Sequence, residues 1–407
     1  MLAVLAGFAS ILSAGALGSV AIQEIFTAGD QYPCYRQPVL LAFDNTVLAF
    51  VEGRNNTLCW GTKDGYPKYI LYRRSTDGGD TFGSTQLLYT GNPDYLGAVR
   101  DATTGEVFLF IQGGPGVLLS SSKDGGATFS KPAAWSIDSG YSGFKPSVAH
   151  GIQIDGSMCS GEAVQAAGSG DGRLVMPFVC SGKKSALQLG RPSSTPLEGI
   201  DLDRGSGSGI AAVGEHDPEP NGDIKCAGCF SCLVLSDDHG ATWRLGAVSS
   251  GQEGTREASV AQVCRSSGQS GAAQIYMNER NMGATYGHRA WALSTDGGAS
   301  ISSYGLEKGM VSPVTANWTG IVGGLSRAST SAGAPLLYSG PLDATARANL
   351  GVYASSDGAA TWAAPHTIWD GPAGYSDAAA LNSTHFAVVF EGGKEHFSEG
   401  IFLARLP

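Results

Sequence analysis

Charge is scarce in this sequence. Asp, Glu, Lys and Arg make up 15% of 407 residues, and the basic share is the smaller, 26 Lys plus Arg against 36 Asp plus Glu. A formal charge of −10 argues against nucleic acid and anionic membrane as main partners, while leaving room for a locally basic pocket. Long hydrophobic runs are missing after the first two dozen residues, so no stable membrane insertion is expected. No G-X-Y period accompanies the 59 glycines, which excludes collagen. No clear amphipathic helix stands out either. Cys226, Cys229 and Cys232 lie close together, but no second C-x-x-C and no histidine pair supports them, since His216 and His239 are isolated. Zinc is therefore the minor reading, and no metal or cofactor is expected.

Even the start of the chain lacks charge: Met1 to Gln23 holds no Asp, Glu, Lys or Arg. This Ala-, Leu- and Gly-rich stretch, with small residues at Ala14, Ala16 and Gly18, is read as a signal peptide or apolar leader over 1–22, ahead of one large domain over 23–407. A buried first helix is the alternative. The eight cysteines, 34, 59, 159, 180, 226, 229, 232 and 264, form an even set that fits disulfides in a secreted or lumenal protein. Three N-x-[ST] sequons, at Asn55, Asn317 and Asn382, point the same way.

What the sequence has in plenty is turns. An octapeptide S-x-D-x-G-x-T-[FW] recurs as STDGGDTF from Ser75, SKDGGATF from Ser122 and SDDHGATW from Ser236. STDGGASI from Ser294 has lost the Thr and the aromatic, and SSDGAATW from Ser355 has Ala359 in place of glycine. Each copy follows an apolar or alternating run that reads as a strand. Glycine supplies the positive φ of a tight turn, and Asp, Ser and Thr can bond the turn's own backbone. Successive box serines are 47, 114, 58 and 61 residues apart. The 114-residue gap is twice the others, which suggests a missing copy near residue 179. A unit of this size, rich in strands, predicts an all-β fold, a six-bladed β-propeller with Asp-box turns. The last run, GIFLARL at 400–406, is expected to close the ring against an N-terminal strand.

The octapeptides resemble the Asp boxes of the sialidase (neuraminidase) superfamily, and other segments extend the resemblance over nearly the whole chain from about residue 30. Tyr35-Arg36-Gln37-Pro38 is similar to the family's Y/F-R-I-P motif, with Gln in place of Ile. The run from Leu48 to Arg54 looks like its L-A-F-x-E-x-R strand, and Arg73-Arg74-Ser75 like its R-R-S strand end. The resemblance implies roles for particular residues. Asp64 would be the general acid, Tyr375 in GYSD the nucleophile and Glu257 in REASVAQV its base. Arg36, Arg280 in MNER and Arg347 in RANLGVY would grip the substrate carboxylate, and Glu391 in VVFEGG would orient Arg36. Glu52 and Arg54 would line the pocket near the sugar hydroxyls. Glu253 is the second choice for the base, and Cys34 with Cys59 is the disulfide expected first.

The chemistry suits these residue types. Sialic acid carries a carboxylate on its anomeric carbon, and arginines recognise a carboxylate bidentately and stay charged. An Asp or Glu nucleophile would meet that charge at close range, whereas a neutral phenol would not. The implied function is an exo-α-sialidase acting on sialylated glycans with retention. A trans-sialidase and a non-catalytic glycan-binding propeller are the alternatives.

Overall fold

A computed structural model describes residues 20–56, 59, 67–114, 116–158, 171–183, 228–251, 254–265, 273–282, 287–315, 319–329 and 333–407. The expected acid Asp64, the alternative base Glu253, the sequon Asn317, Cys159, Cys226 and residues 1–19 lie outside them. Among the described residues every regular element is a strand, and no helix is long and apolar enough to cross a membrane.

In chain order, β1 (Ala21–Thr27) is followed by a four-stranded sheet of β2 (Cys34–Phe43), β3 (Thr46–Arg54), β4 (Lys68–Ser75) and β5 (Gln86–Tyr89). A second comprises β6 (Leu96–Arg100), β7 (Val107–Gly113), β8 (Gly116–Ser122) and β9 (Ala133–Ala134). The third contains β10 (Tyr141–Pro146), β11 (Ile152–Gln153), β12 (Leu174–Lys183), β13 (Cys229–Ser236) and β14 (Arg244–Val248). The fourth has β15 (Thr255–Val263), β16 (Gln274–Asn281), β17 (His288–Ser294) and β18 (Ser303–Val311). The remaining strands are β19 (Leu325–Arg327), β20 (Leu336–Pro341), β21 (Ala348–Ser355), β22 (His366–Ala380), β23 (Phe386–Gly392) and β24 (Gly400–Leu406). Inner strands touch in sequence around a circle, β2 to β6, β6 to β12, β12 to β15, β15 to β19, β19 to β22 and β22 back to β2. The arrangement is all-β and propeller-like.

The expected six separate blades are not what the hydrogen bonds draw. Four sheets are blade-sized, and the rest run together as one seven-stranded sheet, β1-β24-β23-β22-β21-β20-β19. The cause is β22, 15 residues long, whose first half pairs with β21 and whose second half pairs with β23. The expected closure is present: β24 pairs antiparallel with β1, from Ala21↔Arg405 to Thr27↔Gly400. The strand thus begins two residues before the expected domain start. Residue 179, where a further box was expected, lies inside β12.

All five boxes make the same bonds. In the first, Ser75 Oγ donates to Asp77 Oδ1, the Thr81 amide and hydroxyl donate to the two Asp77 oxygens, and the Gly79 amide donates to Ser75 Oγ. Ser300 supplies the hydroxyl that the fourth box seemed to lack, donating to Asp296 Oδ2. Ala359 takes the glycine position of the fifth at φ 67°. Box aromatics reach the preceding sheet: Phe129 packs on Phe50 and Tyr72, Trp243 on Phe108 and Phe110, and Trp362 on Tyr276. These rings fill the gaps between sheets, so the turns and the apolar core are one construction.

Disulfides join Cys34 to Cys59, as expected, and Cys180 to Cys232. Cys229 and Cys264 are also disulfide-bonded. The zinc reading of the Cys226 cluster therefore fails at Cys229 and Cys232, whose sulfurs are already committed.

Candidate active site

Side chains from β2, β15, β16, β22 and β23 meet where the inner strands converge. Alternation along a strand places every second residue on one face, and these buried polar groups pair with one another and with nearby backbone. Glu391 on β23 accepts from Arg36 Nε at 2.7 Å and from the backbone amides of Gln37 at 2.7 Å and Tyr375 at 3.0 Å. One buried carboxylate thus fixes both an arginine of β2 and the backbone of β22. Gln37 holds φ 57° at the register shift between Arg36 and Val39.

The Tyr375 hydroxyl donates to Glu257 Oε1 at 3.0 Å and lies 2.9 Å from Arg280 Nη1. Arg280 Nη1 also donates to Glu257 Oε2 at 2.7 Å, and its Nε to the Thr319 carbonyl. Arg36 and Arg347 stand over the Tyr375 ring at 5.7 and 5.5 Å, and over Phe397 at 5.1 and 5.3 Å. Burial would raise the pKa of Glu257, but Arg280 and Arg256 outweigh it and hold the carboxyl down at about 2. Arg280 is raised above its ordinary value: burial opposes its charge, and Glu257 more than compensates. Burial pushes Arg347 down to about 10, reinforced by Arg280 and Arg36. Six of the nine predicted site residues, Arg36, Glu257, Arg280, Arg347, Tyr375 and Glu391, are therefore brought together.

Glu52 and Arg54 form a second cluster. Arg54 Nη2 bonds Glu52 Oε2 at 2.6 Å, and Lys68 Nζ reaches Glu52 Oε1 at 3.3 Å and Asp94 Oδ1 at 3.2 Å. Burial raises the Glu52 pKa against the pull of Arg54 and Lys68. Lys145 Nζ continues the chain, 3.8 Å from Asp94 Oδ2 and 3.4 Å from the Tyr95 ring centroid. Tyr95 donates to Glu257 Oε1 at 2.9 Å and so joins the two clusters.

Sequence reasoning missed Lys68, Asp94, Tyr95, Lys145, Arg256 and Phe397. The adjacent Asp94-Tyr95 pair was the available signal for two of them. Also missed was His150, whose Nδ1 lies 2.8 Å from Asp377 Oδ1, while Asp377 Oδ2 accepts from the Leu40 amide at 2.9 Å. Among the described residues no group of His, Cys, Asp and Glu is placed to hold a metal ion.

Comparison with known proteins gives consistent matches. Residues 220–388 match the family model of a BNR repeat-like domain. The sialidase of Micromonospora viridifaciens is 28% identical over 381 residues, covering 89% of this chain and 50% of that protein. The chain spans about half the length of the curated relatives it matches. Among solved structures, a Hadza microbial sialidase superposes with a TM-score of 0.65 at 18% identity, over 94% of this chain and 68% of that one. The covalent intermediate of Trypanosoma rangeli sialidase with 2,3-difluorosialic acid gives 0.62 at 14% identity, over 96% of this chain and 59% of that one. At these identities the two superpositions speak for the fold.

Proposed function

We propose, from the premise that this chain belongs to the sialidase superfamily, that it is a retaining exo-α-sialidase removing terminal sialic acids from glycoconjugates. The observation that carries this reading is the Tyr375 hydroxyl held between Glu257 and Arg280, beneath Arg36 and Arg347. Three arginines around one phenol suit a substrate whose reacting carbon bears a carboxylate.

The steps follow from those positions. The substrate carboxylate binds Arg36, Arg280 and Arg347. Its charge offsets the positive field that holds Glu257 low, so the base strengthens as the site fills. Tyr375 Oη attacks the anomeric carbon, Glu257 takes the phenolic proton, and the glycosidic C–O bond breaks as Asp64 protonates the leaving oxygen. Asp64, now a carboxylate, deprotonates a water that attacks the same carbon. The bond to Tyr375 breaks, and Glu257 returns the proton. Glu52 and Arg54 face the sugar hydroxyls. Two displacements give retention.

On this reading the seven-stranded sheet is two blades fused through β22, making six, and residues before Ala21 act as a secretion leader. A fluorogenic sialoside assay decides between catalysis and binding alone. A 2,3-difluorinated sialosyl donor, followed by peptide mapping, should label the peptide carrying Tyr375, and Tyr375→Phe should lose most activity while folding normally. A label elsewhere, or release of the inverted anomer first, would overturn the mechanism. Adding lactose as acceptor separates hydrolysis from transfer.

A further inference from the structure

Glu257 receives two phenols on one oxygen. Tyr375 and Tyr95 donate to Oε1 at 3.0 and 2.9 Å, while Arg280 occupies Oε2. The direction of each bond is forced. Arginine has donors only, and Arg256 Nη2 points at the Tyr95 oxygen from 3.3 Å. Tyr95 must accept there, and because the Glu257 carboxylate can only accept, the Tyr95 proton goes to Glu257. The same logic with Arg280 Nη1 sends the Tyr375 proton to Oε1. Both lone pairs of Oε1 are then engaged, each by a different tyrosine.

The two tyrosines are unequal. Tyr375 lies under Arg36 and Arg347 and beside Arg280, whereas Tyr95 meets Arg256 at its oxygen and the Lys145 ammonium over its ring. Both are buried in one apolar cluster, but the three arginines proposed to hold the substrate carboxylate surround Tyr375 rather than Tyr95. Burial raises the Tyr95 pKa well above the ordinary value, against the pull of Arg256. Its proton stays in place while that of Tyr375 moves.

We infer that Tyr95 is the positioning residue of the base: steered by Arg256, its hydroxyl pins Glu257 Oε1 at the point where Tyr375 delivers its proton. The pin also favours the carboxylate over the acid, because a hydrogen bond to an anion is about twice as strong as one to a neutral group. The groups facing Glu257 are Arg256 on its own strand, Arg280, Tyr95 and Tyr375, and Lys145 and Asp94 act on it through Tyr95.

This inference rests on the proposed function for its catalytic meaning, but its test needs no turnover. Carboxyl-carbon NMR of ¹³C-glutamate-labelled protein, with Glu257→Gln to assign the signal, follows the Glu257 titration directly. Tyr95→Phe should move it upward by roughly one pH unit. A ring-fluorinated tyrosine at position 95, a stronger donor of the same shape, should move it downward. The acid limb of kcat/KM on a fluorogenic sialoside should follow both. A packing role alone would shift both variants in one direction or neither. If the phenylalanine variant fails to fold, the fluorinated protein decides the matter. A titration that stays put, or moves the same way in both, overturns the inference. A titration that moves as expected in a protein that cleaves no sialoside would overturn the enzymatic reading and leave the role of Tyr95 standing.

Discussion

Arg347→Met should leave the fold about as stable as before and weaken the site. Arg347 is 7% exposed, and its pKa is pushed below the ordinary arginine value to about 10, through burial first and then through Arg280 and Arg36, against Tyr375 and Glu391. That gap of about 2.5 corresponds to about 3 kcal/mol. The folded pKa lies below the unfolded one, so the unfolded chain binds the proton more tightly. Below pH 10 the side chain is charged in both states and the folded state carries the full penalty, which fades only as pH rises from about 10 towards the ordinary arginine value. Methionine keeps an unbranched apolar stem and drops the charge. Lost contact with the Tyr375 and Phe397 rings, each worth about 2 kcal/mol when desolvated, takes back an amount of the same size, so the stability of the fold should change little. Binding should weaken. Loss of one buried contact to a carboxylate costs about 2–5 kcal/mol, or roughly 30- to 5,000-fold in affinity. Thermal unfolding and the inhibition constant of an unsaturated sialic acid analogue give the two readouts. A variant that unfolds several degrees earlier, with its inhibition constant unchanged, would show that Arg347 belongs to the scaffold and refute the argument.

Glu391→Ala should lose about 3–5 kcal/mol in urea unfolding, since it removes the carboxylate paired with buried Arg36 and the acceptor of two buried backbone amides, and Glu391→Gln should lose less. Replacing Cys34 and Cys59 together by serine should cost about 3–4 kcal/mol, from a 25-residue separation. It should also raise KM, because Arg54 Nη1 donates to the Cys59 carbonyl. Burial would lower the pKa of His150, but the Asp377 carboxylate prevails and raises it. Its contribution to stability is then complete below the unfolded value near 6.5 and is lost as pH rises through the folded value. His150→Asn should flatten the melting temperature across that window, and an unaltered slope would exclude the pair as its cause.

The boxes were legible because their chemistry is local: serine, aspartate, glycine and threonine satisfy one turn within eight residues. Even the degenerate fourth copy kept its bonds, since Ser300 replaces the threonine hydroxyl. Tyr375, Glu257 and the arginines could be named only through resemblance, because nothing within ten residues of Tyr375 foretells that Glu257 will meet it. Tyr95 and Lys145 were illegible for the same reason, as their meaning is a contact across separate sheets. Blade number misled because spacing counts turns, whereas β22 carries hydrogen bonds past the point where the count expects a break. Asp64 stays an inference from resemblance.

The seam between the outermost strand and β24 has a kinetic meaning. A ring fastened at one place opens there first, much as a clasp does, and its working lifetime follows the rate of that event rather than the depth of the whole energy well. Once β1 peels away, β24 becomes an edge. The next strand inward is β23, which carries Glu391, and then β22, which carries Tyr375. Ageing of the protein should therefore reach the arginine cluster early, so that binding is lost while the sheets of the far side, β6 to β18, still protect their amides from exchange.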